Sequence, residues 1–166
     1  MTVHFATGSS LDVAPPHRSY ALLMDQKSEG TDGGTFTSGA WQVRDLNTEY
    51  IDPDGIVTLS NNIFVLTPGD YFIRWSAPAY RVNRHKAVLF RESGTQTVFG
   101  YGSSERCNSS IAVGNRSMGI WRGTISGTVN LQIRHICSTT RSSDGFGLSE
   151  DNGTETYTIV EIFKEF

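Results

Sequence analysis

The chain has 166 residues and a formal net charge of −3. That length suits one compact domain, large enough to bury a core without a metal or disulfide staple. The mild acidity excludes a general nucleic-acid or membrane-surface binder, and no apolar run approaches the ~20 residues of a membrane span.

Residues 1–18 read as an extended arm, since Pro15 and Pro16 prevent regular pairing. Its small apolar islands, Val3 with Phe5 and Leu11 with Val13, suit docking on another surface. It holds no apolar run of signal-peptide length, so synthesis in a cytosol is expected. Residues 19–166 read as the folded domain. Tyr20–Asp25 is a short apolar strand and Glu29–Thr35 a Gly-rich turn. Phe36–Leu46 is expected to be extended, with Trp41 and Val43 on one face. Asp52-Pro53-Asp54-Gly55 is a turn by composition. Ile56–Leu59 and Ile63–Leu66 follow, divided by Asn61-Asn62. Thr67-Pro68-Gly69 then leads into the longest strand, Asp70–Val82. His85–Arg91, Val98–Tyr101, Ile111–Val113, Met118–Ile125, Thr128–Cys137 and Thr156–Phe166 complete the set.

About ten or eleven strands with Gly, Asn and Asp turns at short intervals, and no sustained helical period, give an all-β sandwich or barrel. The alternation is specific. Tyr71, Ile73, Trp75, Ala77 and Ala79 fall on one face of their strand; Phe72, Arg74, Ser76, Pro78 and Tyr80 fall on the other. Val129, Leu131, Ile133, His135 and Cys137 likewise oppose Asn130, Gln132, Arg134 and Ile136. Such strands are antiparallel and buried on one face. Pro78 is expected at a bulge or where pairing lapses.

The run Leu66-Thr67-Pro68-Gly69-Asp70-Tyr71-Phe72-Ile73 resembles the start of a central strand in tumour necrosis factor-like and complement-type globular heads. The order of elements, ending in the aromatic strand Tyr157–Phe166, is similar to theirs. Gly30–Trp41, Ala77–His85 and His135–Gly147 resemble runs in phage and environmental proteins of this type. The resemblance covers roughly residues 20–166. It implies a ten-stranded antiparallel jelly-roll sandwich and a homotrimer. In that trimer the sheet holding the first, last and central strands would line the three-fold axis. Arg74, Arg122 and Glu161 would project there as an intersubunit charge ladder, flanked by Phe72, Tyr157 and Phe163.

Little in the sequence suggests chemistry. The four histidines, His4, His17, His85 and His135, are scattered, and no Cys-x-x-Cys is present. No metal or cofactor is expected. His135 and Cys137 share a strand face, but no nucleophile signature surrounds them. Cys107 and Cys137 read as two semi-buried thiols, with a Cys107–Cys137 bridge as the alternative. Loops at 52–55 and 150–153 carry oxygen ligands but match no calcium-loop spacing, and turn chemistry accounts for both. The chain is therefore read as no enzyme. Two basic, polar segments are candidate ligand or receptor loops: Arg81, Asn83, Arg84 and His85 in one, and Arg141 in the other.

The function these features imply is a structural one. The chain would be a homotrimeric knob on a virion surface, decorating or cementing a phage capsid or capping a short appendage. The arm would hold a capsid or baseplate protein. The alternative is the receptor-binding head of a phage tail fibre, with a host surface glycan as ligand. A missing collagen-like stem and heptad stalk favour the compact knob.

Overall fold

The computed structural model describes residues 19–165. The arm at 1–18, and the part assigned to it, lie outside the described residues. Within them the chain forms twelve strands and no helix, where about ten strands were expected. They are β1 (Ser19–Lys27), β2 (Gln42–Val43), β3 (Thr48–Ile51), β4 (Val57–Ser60), β5 (Ile63–Leu66) and β6 (Gly69–Tyr80). After them come β7 (Asn83–Arg91), β8 (Thr97–Tyr101), β9 (Glu105–Cys107), β10 (Gly114–Ile125), β11 (Val129–Cys137) and β12 (Glu155–Glu165).

Two antiparallel sheets face each other. One has five strands in the order β10-β6-β12-β1-β3. The other runs β4-β5-β11-β7-β8, with β2 added on β11 and β9 on β7. Neighbouring strands are distant in sequence, as in a jelly roll: β12 sits between β1 and β6.

The alternation read from sequence holds in both long strands. Tyr71, Ile73, Trp75, Ala77 and Ala79 are buried on the inner face of β6. On β11, Val129, Leu131, Ile133, His135 and Cys137 are all buried. Tyr71, Ile73, Trp75, Ala77, Val129, Leu131 and Ile133 join Leu23, Phe64, Leu66, Leu89, Val160 and Ile162 in the main core between the sheets. A second cluster, Phe36, Ala79, Val82, Cys107, Cys137 and Phe146, closes one end. The core is also shaped by a missing side chain. A Cβ at Gly119 would come within 2.1 Å of the Trp75 ring, so only glycine leaves room for that indole.

Several local expectations change. Ile111–Val113 is not a strand; β10 instead begins at Gly114 and runs twelve residues. Phe36–Leu46 pairs only at Gln42–Val43 and through a bridge from Phe36 to Arg141. The rest of that segment buries Phe36 and Leu46 individually, so its backbone follows those anchors rather than a ladder. Pro78 keeps its place opposite Arg116 on β10, but pairing with β12 stops at Ser76. It thus lies where one side of the ladder has lapsed. There the Arg116 guanidinium takes over, donating to the Ser76 and Tyr157 carbonyls.

Candidate functional site

The outer face of the five-stranded sheet is ordered in rows. Register sets Arg122, Phe72, Phe163 and Tyr20 side by side across β10, β6, β12 and β1. The next row is Ile120, Arg74, Glu161, Leu22 and Ile51, spanning all five strands. A third is Met118, Ser76, Ile159, Met24 and Thr48. In the first row the Tyr20 and Phe163 ring centroids lie 4.9 Å apart, and those of Phe72 and Phe163 5.9 Å apart. Cross-strand aromatic pairs of this kind stiffen a sheet.

Charges on this face close on one another. Arg74 reaches Glu161 at 3.5 Å, and Arg122 reaches Glu165 at 2.7 Å. Both pairs form within one chain. Partial burial, then the nearby Glu161 carboxylate, pushes the Tyr20 phenol above its ordinary value. With Arg74 and Arg122 paired, the central rows present chiefly apolar atoms. Met118 is 60% exposed and Ile120 64%, large values for a β-strand's apolar residues. Between them and Ile159 lies an open hollow of about 510 Å³, bounded by Arg74, Ser76 and Glu161.

Phe72, Arg74, Arg122, Glu161 and Phe163 therefore share this face. Tyr157 does not. Between Met24 and Gln26 on β1, the partner strand advances from Ile159 to Thr156, so β12 carries one residue more. That bulge turns Tyr157 inward beside Thr158. Tyr157 is buried and its hydroxyl donates to the Thr31 carbonyl at 2.7 Å. Tyr20, Leu22, Met24, Met118, Ile120 and Ile159 were not singled out from sequence. One signal was present in β10, where Met118 and Ile120 alternate with the inward Trp121 and Ile125. A strand apolar on both faces belongs to a sheet covered on both faces.

The loop candidates separate. Arg81 and Asn83 have left-handed backbones, φ 54° and 64°, and form the turn from β6 to β7. Arg84 is exposed, on the outer face of the seven-stranded sheet. His85 is not a loop residue: it points the opposite way and is buried. Arg141 is engaged by Asp144, at 2.6 and 2.7 Å, and helps close the 141–147 loop rather than offering a free fork.

His85 belongs to a buried polar string. Its Nε2 meets Asn115 Oδ1 at 2.6 Å and its Nδ1 meets His135 Nε2 at 2.9 Å. Asn115 in turn donates to Glu105. An Asn oxygen accepts, so His85 carries its proton on Nε2 and receives one from His135. Burial holds both imidazoles below their ordinary value, His135 well below, with the Arg44 cation adding to it. Arg44 itself is fully buried. Its Nε donates to Thr158 Oγ1 at 2.9 Å, one Nη to the Phe146 carbonyl at 3.0 Å, and the guanidinium lies 4.0 Å over the Phe146 ring. Burial lowers it to about 9 against the pull of Asp25 and Asp45.

Cys107 and Cys137 are both free, buried thiols in the second core cluster. Burial pushes the Cys137 thiol up to about 11, so it stays protonated at neutral pH. Its sulfur lies near the Thr139 and Phe36 carbonyls, while His135 turns to His85. Glu155, beside the loop considered for calcium, accepts instead from the backbone amides of Gly30, Glu150 and Asp151. Among the described residues no three His, Cys, Asp or Glu side chains converge as a metal site requires.

No protein-family model matches this sequence, and no curated protein matches it either. Solved structures do match in fold. The Eiger TNF of S. frugiperda aligns with a TM-score of 0.59 at 14% identity, covering 90% of this chain and 92% of that one. Murine APRIL at pH 5.0 aligns at 0.57 and 12% identity, covering 89% and 99%. The globular domain of the zebrafish complement 1qA protein aligns at 0.56 and 14%, covering 90% and 98%. At such identities the likeness is one of fold. The chain has the tumour necrosis factor-like jelly roll, shared with the complement-type head.

Proposed function

We propose that this chain is a self-associating, non-enzymatic head that forms a homotrimer through the outer face of its five-stranded sheet. The observation that carries the reading is the set of three cross-strand rows, apolar in bulk, with both ion pairs closed inside the chain. Exposed apolar surface of this extent marks a contact site. An ion pair already closed costs less to dehydrate than two unpaired charges would. The aromatic and arginine content is that of an interface core. The fold likeness and the sequence resemblance support three copies about an axis. Replacing Arg74 with Glu sets like charges against Glu161 in the middle row. That variant is expected to lose the trimer in sedimentation; an unchanged assembly would overturn the reading.

The same reading seats the trimer on a virion surface, as a knob that decorates or cements a capsid or caps a short appendage. The runs resembling phage proteins support this placement. The arm at 1–18 would hold the capsid or baseplate protein, with three arms adding avidity. Removing residues 1–18 should leave a folded trimer that no longer binds purified particles. Retained binding would contradict the arm's role and leave the trimer face standing.

A further inference from the structure

The seven-stranded sheet presents a different outer face. Along β7 it carries Arg84, Lys86, Val88 and Phe90, and along β11 Gln132, Arg134 and Ile136. Register places Lys86 opposite Ile136, Val88 opposite Arg134 and Phe90 opposite Gln132. At the β9 edge, Arg84 stands directly opposite Arg106. Four cations therefore share one face across three adjacent strands. Among the described residues, none of the four forms an ion pair.

Directly opposed like charges destabilise a sheet. Here they occur in a chain whose net charge is −3, and among the described residues no carboxylate lies within ion-pair distance of them. Two of the four are nonetheless held in position. Arg134 lies 3.7 Å over the Phe90 ring, and its Nε donates to Gln132 Oε1 at 3.1 Å. Arg106 Nε donates to Asn83 Oδ1 at 3.0 Å. Only Nε of each is used, so the Nη donors of both forks stay available for an oxyanion. Ser138, hydrogen-bonded to Arg84 through Oγ at 3.0 Å, puts a hydroxyl beside them.

We propose that this face binds an acidic polysaccharide, with Arg84, Arg106, Lys86 and Arg134 taking its carboxylate or sulfate groups and Ser138 and Asn83 its hydroxyls. The chain's net charge of −3 favours sugar over nucleic acid. Phe90 lies beneath Arg134, while Tyr101 stays 66% exposed beside Lys86, which lies 5.6 Å from its ring centroid. A broad sheet face enters no duplex groove. The site lies on the sheet opposite the assembly face and does not depend on it; in a trimer, three copies add avidity.

The test is binding of the full chain to immobilised dextran sulfate and carboxymethyl dextran, with neutral dextran and duplex DNA alongside. Binding to the charged dextrans is expected to fall as salt rises. Arg84→Gln with Arg106→Gln should weaken it about tenfold, and Lys86→Gln with Arg134→Gln by a similar factor. Arg91→Gln, at the far end of β7, changes the net charge too and should stay within about twofold. Failure to bind either charged dextran overturns the proposal, as does an equal loss in Arg91→Gln or tighter binding to duplex DNA. None of these outcomes bears on the trimer, which sedimentation reads separately.

Discussion

The two outer faces of the sandwich are built from the same kind of strand and solve opposite problems. On the five-stranded sheet every charged side chain in the central rows finds a partner within the sheet, and most of the rest is Phe, Tyr, Ile, Leu and Met. On the seven-stranded sheet four cations go without an ion pair among the described residues, and one of them, Arg134, lies over the Phe90 ring. A closed ion pair beside exposed apolar rows suits a dry contact. Unanswered cations with aromatic support suit a wet, ionic one. Inner faces are alike by necessity; the outer faces record what each sheet meets.

The sharpest way to break the comparison is to reverse charge on one face at a time. Met118→Glu with Ile120→Glu should dissolve the assembly to single chains in light scattering. Lys86→Glu with Arg134→Glu should leave the mass unchanged. If both pairs act alike, the distinction between faces fails.

Two predictions concern what lies between the faces. Gly119→Ala forces a methyl into the Trp75 ring and should cost about 3 kcal/mol, the upper end of overpacking, read as a lower urea midpoint. The His85–His135 pair sets a pH response. Both are held below their ordinary value when folded, so the unfolded chain takes up protons first. Stability is then full above about pH 6.5, where an ordinary histidine titrates, and is lost as pH falls toward the folded values. Arg44 faces the pair as a further cation and Glu105 as the counter-charge. The urea midpoint should drop between pH 7 and pH 5, and His135→Gln should flatten that slope. A flat profile in the parent chain would contradict the assignment.

The smallest effect belongs to the basic face. Arg134→Ala removes a stack on Phe90 and should cost about 0.5–1 kcal/mol. A much larger loss would mean that this face is structural rather than free to bind.

The inner and outer sides of β6 and β11 were legible in sequence because a period of two survives any register. The five residues Phe72, Arg74, Arg122, Glu161 and Phe163 could be placed on one sheet for the same reason, once the strand order was supplied by resemblance. Tyr157 was misplaced because an inserted residue in β12 reverses the alternation, and the bulge leaves no residue-type signature at Tyr157–Thr158. His85 read as a loop residue because its turn, Arg81–Asn83, sits immediately before it. Arg44 was passed over since its partners, Thr158 and Phe146, lie 114 and 102 residues away. Nothing local announces a buried cation. Lys86 and Arg106 were unremarkable singly; only pairing across β7 and β9 sets them with Arg84.

The central claim is that the apolar rows of the five-stranded sheet are covered by further copies of the same chain. Sedimentation equilibrium of the unmodified protein at neutral pH tests it most directly. The account predicts a single species at three times the chain mass of 18.3 kDa. A species at 18.3 kDa that persists at high concentration would contradict it.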